Sequence, residues 1–241
     1  RACGGQQQET EVEGHAEQSA GDDKSHVYRA AKIGLRDKEM KTRVGLTGGI
    51  GCGKTLVAQV FEHFGVAVFY SDMQAKQLYD DKAFLEKIAE RFGRDIIEDG
   101  RLNRRRLADK VFADKEKLQT LNSMVHPEVF KRFDEWAERQ KSPYVIMESA
   151  ILFENSLQHH FDAIISISTP EEVVLQRVML RDDCSKEQVL QRIRNQMPQE
   201  EKNALADYVI LHDGTTMLIP RILSIHNDIL KHCIENEKSK D

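Results

Sequence analysis

The chain has 241 residues, 40% hydrophobic and 31% charged, with a formal net charge of −5. That is enough for a sizeable core, as one domain or one domain with inserts. The acidic balance argues against a general nucleic-acid binder, and no apolar run approaches the ~20 residues needed to span a bilayer. Neither a nucleic-acid nor a membrane partner is therefore expected. Residues 1–40 lack the apolar centre of a signal peptide. The cysteines Cys3, Cys52, Cys184 and Cys233 stand singly, which indicates neither a zinc site nor a disulfide framework. Their scarcity suits a reducing compartment, and a cytoplasmic location is expected.

Residues 1–39 differ from the rest. The stretch from Arg1 to Ser25 is rich in Gln, Glu, Gly, Ser and Asp and has almost no large apolar residues. It cannot bury enough surface to offset its ordering entropy. Met40 leads straight into the first strand and is expected to be the functional start, with residues 1–39 a tail or an upstream extension.

The run Arg43-Val44-Gly45-Leu46-Thr47 reads as a short buried strand, and residues 56–64 have helical periodicity. Between them, Gly48-Gly49-Ile50-Gly51-Cys52-Gly53-Lys54-Thr55 fits the phosphate-loop pattern G-x-x-x-x-G-K-[ST] without a mismatch. Glycines let successive backbone N–H groups turn inward into an anion nest, and the following helix adds its N-terminal dipole. Lys54 places a point charge on the β- and γ-phosphates, and the Thr55 hydroxyl is a hard oxygen ligand for Mg²⁺. Cys52 reads as a small residue in place of serine, a reading favoured over an oxidation-sensitive switch.

Gly65 closes the first helix, and residues 66–70 read as a second buried strand ending at Ser71-Asp72. Asp72 lies near the crevice of a doubly wound sheet. It can be an N-cap, a general base, or both. Residues 73–142 read as a long helical stretch, punctuated by Gly93 and Gly100, with Asn103 capping a helix and His126-Pro127 breaking another. The basic run 101–106, which contains Arg104, reads equally as a solvated helix start or as a phosphate contact. His126 is ambiguous in the same way. Tyr144-Val145-Ile146-Met147-Glu148 is a third buried strand, whose terminal Glu148 is placed to hold Mg²⁺. A fourth strand covers residues 161–168. Thr169-Pro170-Glu171-Glu172 starts a helix carrying Arg177 and Arg181 on one face, and Ser185-x-x-Gln188 reads as a capping box. The polar hairpin here is expected to be a mobile lid; Arg177 reads as an ordinary exposed residue. Residues 206–211 form a fifth strand, and an amphipathic helix over 215–238 packs back on the sheet.

With these residues laid out, residues 42–235 resemble dephospho-coenzyme A kinases. The resemblance rests on Leu46-Thr47-Gly48-Gly49-Ile50-Gly51, Ser71-Asp72-x-x-Ala75, Leu102-Asn103-Arg104-x-x-Leu107, Leu121-Asn122-x-x-Val125-His126-Pro127, Ile151-Leu152-Phe153-Glu154, Arg192-x-x-x-Gln196 and Ala206-Asp207-Tyr208-Val209-Ile210, in that order. Cys52, Leu56, Tyr70, Ala150 and His212 depart from the family's usual Ser, Thr, Asp, Pro and Asn. The resemblance implies an α/β fold: a five-stranded parallel sheet of P-loop kinase topology, with a helical substrate-binding insert at 73–142 and a helical lid at 181–202, within a kinase domain spanning 40–241. It implies ATP-dependent phosphorylation of the ribose 3′-hydroxyl of dephospho-coenzyme A, with Mg²⁺, by a monomer or weak homo-oligomer. Asp72, Lys54 and Arg181 would be catalytic. Gly49, Ile50, Gly51, Cys52, Gly53, Lys54, Thr55, Leu56, Arg192 and His212 would bind the nucleotide. Asp72, Arg104, His126, Leu152 and Glu154 would bind the acceptor, and Thr55 with Glu148 the metal. Other readings are a different small-molecule kinase of this fold, a GTPase switch and a nucleotide-gated binding module. No N-K-x-D guanine-reading element occurs, which argues against the GTPase.

Overall fold

The computed structural model describes residues 41–112 and 114–238. The expected tail at 1–39 and the expected start at Met40 lie outside them. Five strands form one all-parallel sheet in the order β2-β5-β1-β6-β7. They are β1 (Thr42–Gly48), β2 (Ala67–Tyr70), β5 (Tyr144–Glu148), β6 (Ala163–Ser168) and β7 (Tyr208–Leu211). The chain leaves β1 through α1 (Lys54–His63) and skips one position to reach β2, whereas β6 lies on the other side of β1. This reversal puts the crevice at the C-terminal end of β1, where the phosphate loop begins.

Both faces of the sheet are covered, as a parallel sheet requires. Side chains alternate along each strand. Val44, Leu46, Tyr144, Ile146, Ile165, Ile167 and Ile210 face α1 and α9 (Leu218–Lys238). Phe69, Val145, Met147 and Ile164 face the other layer, built from α2 (Ser71–Leu78), α3 (Lys82–Phe92), α4 (Arg104–Val111) and α5 (Lys115–Glu138). Between β6 and β7 lie α6 (Glu171–Asp182), α7 (Lys186–Arg194) and α8 (Gln199–Leu205). Asn103 accepts from the Arg106 amide at 3.1 Å, and Ser185 with Gln188 forms the expected capping box.

Three expectations are corrected. Asp72 is not an N-cap: α2 begins at Ser71, so Asp72 stands in its first turn, where a carboxylate favours the helix dipole. His126-Pro127 does not break a helix, because α5 runs through it for 24 residues. Pro127 offers no N–H to the Ser123 carbonyl, a loss of about 3 kcal/mol. Val125 on one side and Val129, Phe130, Phe133 and Ala137 on the other are all buried. Each large one contributes about 1.5–3 kcal/mol, enough to hold both halves in line. The third correction is a hairpin, β3 (Ile97–Glu98) and β4 (Arg101–Leu102), inside the stretch expected to be helical. Its two-residue turn is Asp99-Gly100, with φ of 51° and 74°. An Asp-Gly turn with both φ values positive is the signal for such a hairpin, and it stood in the sequence.

Candidate active site

The strand–loop–helix unit forms the floor of the site. Gly51 and Gly53 have φ of 72° and 90°, where a side chain would be strained. A Cβ on Gly53 would also lie 2.5 Å from the His212 ring. The loop is therefore packed against its neighbours, not merely turned. His212, just past β7, donates from Nδ1 to the Cys52 carbonyl at 2.8 Å. Its Nε2 is then left to accept from Arg177 at 3.1 Å. Gly51, Gly53, Lys54 and Thr55 line a pocket of about 300 Å³ together with Arg177, Val178 and Arg181. Lys54 Nζ donates to the carbonyls of Gly48 and Gly49 at 3.0 and 3.2 Å, so the cation lies over the loop. The Ile50 amide donates to Gln196 Oε1 at 2.9 Å and the Gly49 amide to Gln199 Oε1 at 3.4 Å. Two loop amides thus hold glutamine oxygens from the segment joining α7 to α8.

Cys52 is buried against the sheet, and that burial pushes its thiol up. A thiol held protonated is inert, which supports the packing reading over the oxidation switch. Leu56 is half exposed on the first turn of α1.

A second pocket, of about 180 Å³, opens between α2, α5 and the loop after β5. Ser71, Asp72, Tyr79, Asn122, His126, Ser149 and Ile151 are among its lining residues. Burial lowers the His126 pKa, so the imidazole is neutral at physiological pH. Arg104, at the start of α4, is close enough to Tyr79 for its charge to lower that phenol's pKa, while burial raises it.

Glu148 links the two pockets. It ends β5, beside Leu46 of β1 and Tyr70 of β2, and is buried. Burial raises its pKa, the positive charge of Lys54 opposes this, and the negative charge of Asp72 adds to it. Glu148 therefore feels a residue of each pocket. No cluster of three His, Cys, Asp or Glu side chains suited to a metal occurs among the described residues. Mg²⁺ does not need one, because it keeps water and binds one or two protein oxygens plus substrate phosphates. Exposed Thr55 and buried Glu148 fit that requirement.

Other sequence-derived candidates fall elsewhere. Leu152 is buried in the core, where its Cδ1 lies within 2.6 Å of where a Gly45 Cβ would stand. It positions the loop and touches no open surface. Glu154 is bound to Lys202 of α8 at 2.7 Å and accepts from the Met197 amide at 3.1 Å. Arg181 and Arg192 both bind Asp182, at 2.7 and 2.6 Å. Their bonds hold that carboxyl down to about 2. Arg181 still lines the phosphate-loop pocket; Arg192 sits on its far side of the shared carboxylate. Tyr70 turns away toward α1 and donates to Glu62 at 3.1 Å. Arg177, read from sequence as an ordinary surface residue, belongs to the site; its shared face with Arg181 was the available signal. Gln199 and Lys202 carried no local signal, because their partners lie far away in the chain.

The family model for dephospho-CoA kinase matches residues 42–217. The chain belongs to the dephospho-CoA kinase family. A dephospho-CoA kinase of Bacteroides fragilis is 37% identical over 188 residues, covering 77% of this chain and 92% of that protein. One from Salinibacter ruber is 40% identical over 179 residues, covering 72% and 90%. Among solved structures, TT1252 from Thermus thermophilus superposes with a TM-score of 0.73 at 34% identity, covering 80% of this chain and 99% of that one. Dephospho-CoA kinase from Campylobacter jejuni gives 0.58 at 25% identity over the same shares. The matched region spans β1 to the start of α9, and so includes both pockets and Glu148 between them. As a P-loop kinase family, it uses ATP.

Proposed function

We propose that this chain transfers the γ-phosphoryl group of ATP to the ribose 3′-hydroxyl of dephospho-CoA, giving CoA and ADP in the final step of CoA biosynthesis. One observation carries the reading. A phosphate-loop pocket and an acceptor pocket flank Glu148, whose charge is felt by Lys54 on one side and Asp72 on the other.

The exposed Asp72 carboxylate orients the 3′-hydroxyl and takes its proton as the new O–P bond forms. The bond from the γ-phosphorus to the β,γ-bridging oxygen breaks, and ADP leaves. Lys54 shifts from the loop carbonyls to the phosphates and neutralises charge developing on the transferred group. Mg²⁺, when held by Thr55 and through water by Glu148, supplies further charge neutralisation at the phosphate oxygens. Arg177 and Arg181 face the nucleotide from α6, and His126 and Arg104 face the acceptor. Gly49, Ile50, Gly51, Cys52 and Gly53 contribute backbone groups to the nucleotide, and His212 holds their loop in shape. The rate enhancement comes from positioning and fixed charge. Residues 73–142 form the acceptor-binding region and 181–202 the lid, which excludes water as a competing nucleophile. The reading includes a cytoplasmic enzyme, monomeric or weakly self-associating. Among the described residues no helix is long and apolar enough to cross a membrane.

The test is the Asp72→Asn variant, which keeps size and loses the base. ADP release driven by dephospho-CoA should fall by about 10²-fold or more, while Mg-ATP still binds. Unchanged turnover would remove Asp72 as the base.

A further inference from the structure

The segment 196–202 touches both halves of the site. On one side its glutamines hold phosphate-loop amides: Gln196 at Ile50 and Gln199 at Gly49. On the other it is bound to Glu154, in the loop between β5 and β6. Glu154 Oε1 takes the Met197 amide at 3.1 Å and the Lys202 ammonium at 2.7 Å. Lys202 is fully buried and also reaches the Ala150 carbonyl at 3.4 Å. A buried ammonium needs its counter-charge, so the contact to Glu154 is not optional. The Glu154 loop is in turn part of the acceptor pocket, which Ser149, Ile151 and Leu157 line. The next residue, Asn155, accepts from Asn122 of α5 at 3.2 Å, and Asn122 lines the same pocket.

Two consequences follow from elementary chemistry. Each backbone N–H donates to one good acceptor at a time. A phosphate oxygen on the Gly49 or Ile50 amide must therefore displace Gln199 or Gln196. That displacement moves a segment whose far end is fixed to the acceptor loop by a buried ion pair. The glutamines on or off the amides are two discrete states of one element, and a ligand that binds them unequally shifts their balance.

We propose that Glu154 and Lys202 are positioning residues that couple nucleotide binding at the phosphate loop to acceptor binding in the pocket behind Asp72. Glu154 thereby acts on the acceptor through its loop. The proposal rests on the function given above, since it takes dephospho-CoA as the acceptor.

The experiment measures equilibrium linkage in the full chain. The affinity for dephospho-CoA is determined with and without a saturating non-hydrolysable Mg-ATP analogue, for the wild type and for Glu154→Gln combined with Lys202→Met. Removing both charges leaves no buried ion unpaired. The wild type should show a change in acceptor affinity of about 5-fold or more. The double variant should hold each ligand alone within about threefold of wild type, with the linkage reduced below about twofold. A merely structural role would alter the single-ligand affinities and leave the linkage. If the double variant does not fold, Glu154→Asp, which keeps both charges and shortens the reach, is read by the same criterion. Linkage equal in wild type and variant overturns the proposal, as does a wild type that binds both ligands independently. A wild type that binds the nucleotide but not dephospho-CoA overturns the function reading, and the coupling with it.

Discussion

Glu148 is the side chain on which opposing fields meet. Burial favours its protonated form, the Asp72 charge acts in the same direction, and Lys54 acts against both, leaving the carboxyl above its ordinary value. The sign matters. A carboxyl raised in the folded state holds its proton more tightly than in the unfolded chain. The stability it lends is present at low pH and is lost as pH rises through the raised value. Metal binding asks the opposite, because only the carboxylate orders the waters of Mg²⁺. Apparent Mg²⁺ affinity should therefore rise with pH across a window that begins above the usual carboxylate range. Mg²⁺ titrations of ADP formation at a series of pH values measure this. In Glu148→Gln that limb should vanish, with weaker Mg²⁺ dependence throughout; an unchanged limb would assign it to another group. His212 shows a different residue-scale economy. One imidazole donates to the Cys52 carbonyl and accepts from Arg177, so a single side chain fixes both the loop and a cation of the nucleotide pocket.

At the scale of elements, α5 is the informative case. Its periodic apolar residues were legible, but the effect of Pro127 was not. A local rule against proline in a helix competes with tertiary burial, and the burial of Val125, Val129, Phe130 and Phe133 is invisible until the sheet is assembled. Replacing Pro127 by Ala restores one backbone hydrogen bond in a helix that already exists. It should stabilise the fold by about 1–2 kcal/mol, the proline penalty less the gain in unfolded-chain entropy. A higher urea midpoint with an unchanged slope would show it, and a lower midpoint would mean that the kink is required. The hairpin at 97–102 was missed for the opposite reason: its Asp99-Gly100 turn is a strong local signal, set aside for a helical reading of the whole stretch. The five strands and the phosphate loop were legible because hydrophobic runs and glycine spacing are local. The contacts of Gln199, Glu154 and Lys202 were not, because each joins segments distant in sequence and no spacing rule encodes them.

At the scale of the whole molecule, the sheet order decides the function. Because β1 lies between β5 and β6, the phosphate loop emerges beside Glu148 on one side and opposite α6 on the other. The chain then spends residues on each side differently. Between β2 and β5 it builds the four helices and hairpin that shape the acceptor pocket, and between β6 and β7 the three helices that reach over the loop. An acceptor and a triphosphate entering from these two sides meet at Asp72 and Lys54. The measurement that tests this most directly is ADP release from Mg-ATP with dephospho-CoA as acceptor, set against adenosine, AMP and no acceptor. The account predicts release that depends on dephospho-CoA, with CoA formed in equal amount. Release driven equally by adenosine or AMP, or none with dephospho-CoA while ATP still binds, would contradict it.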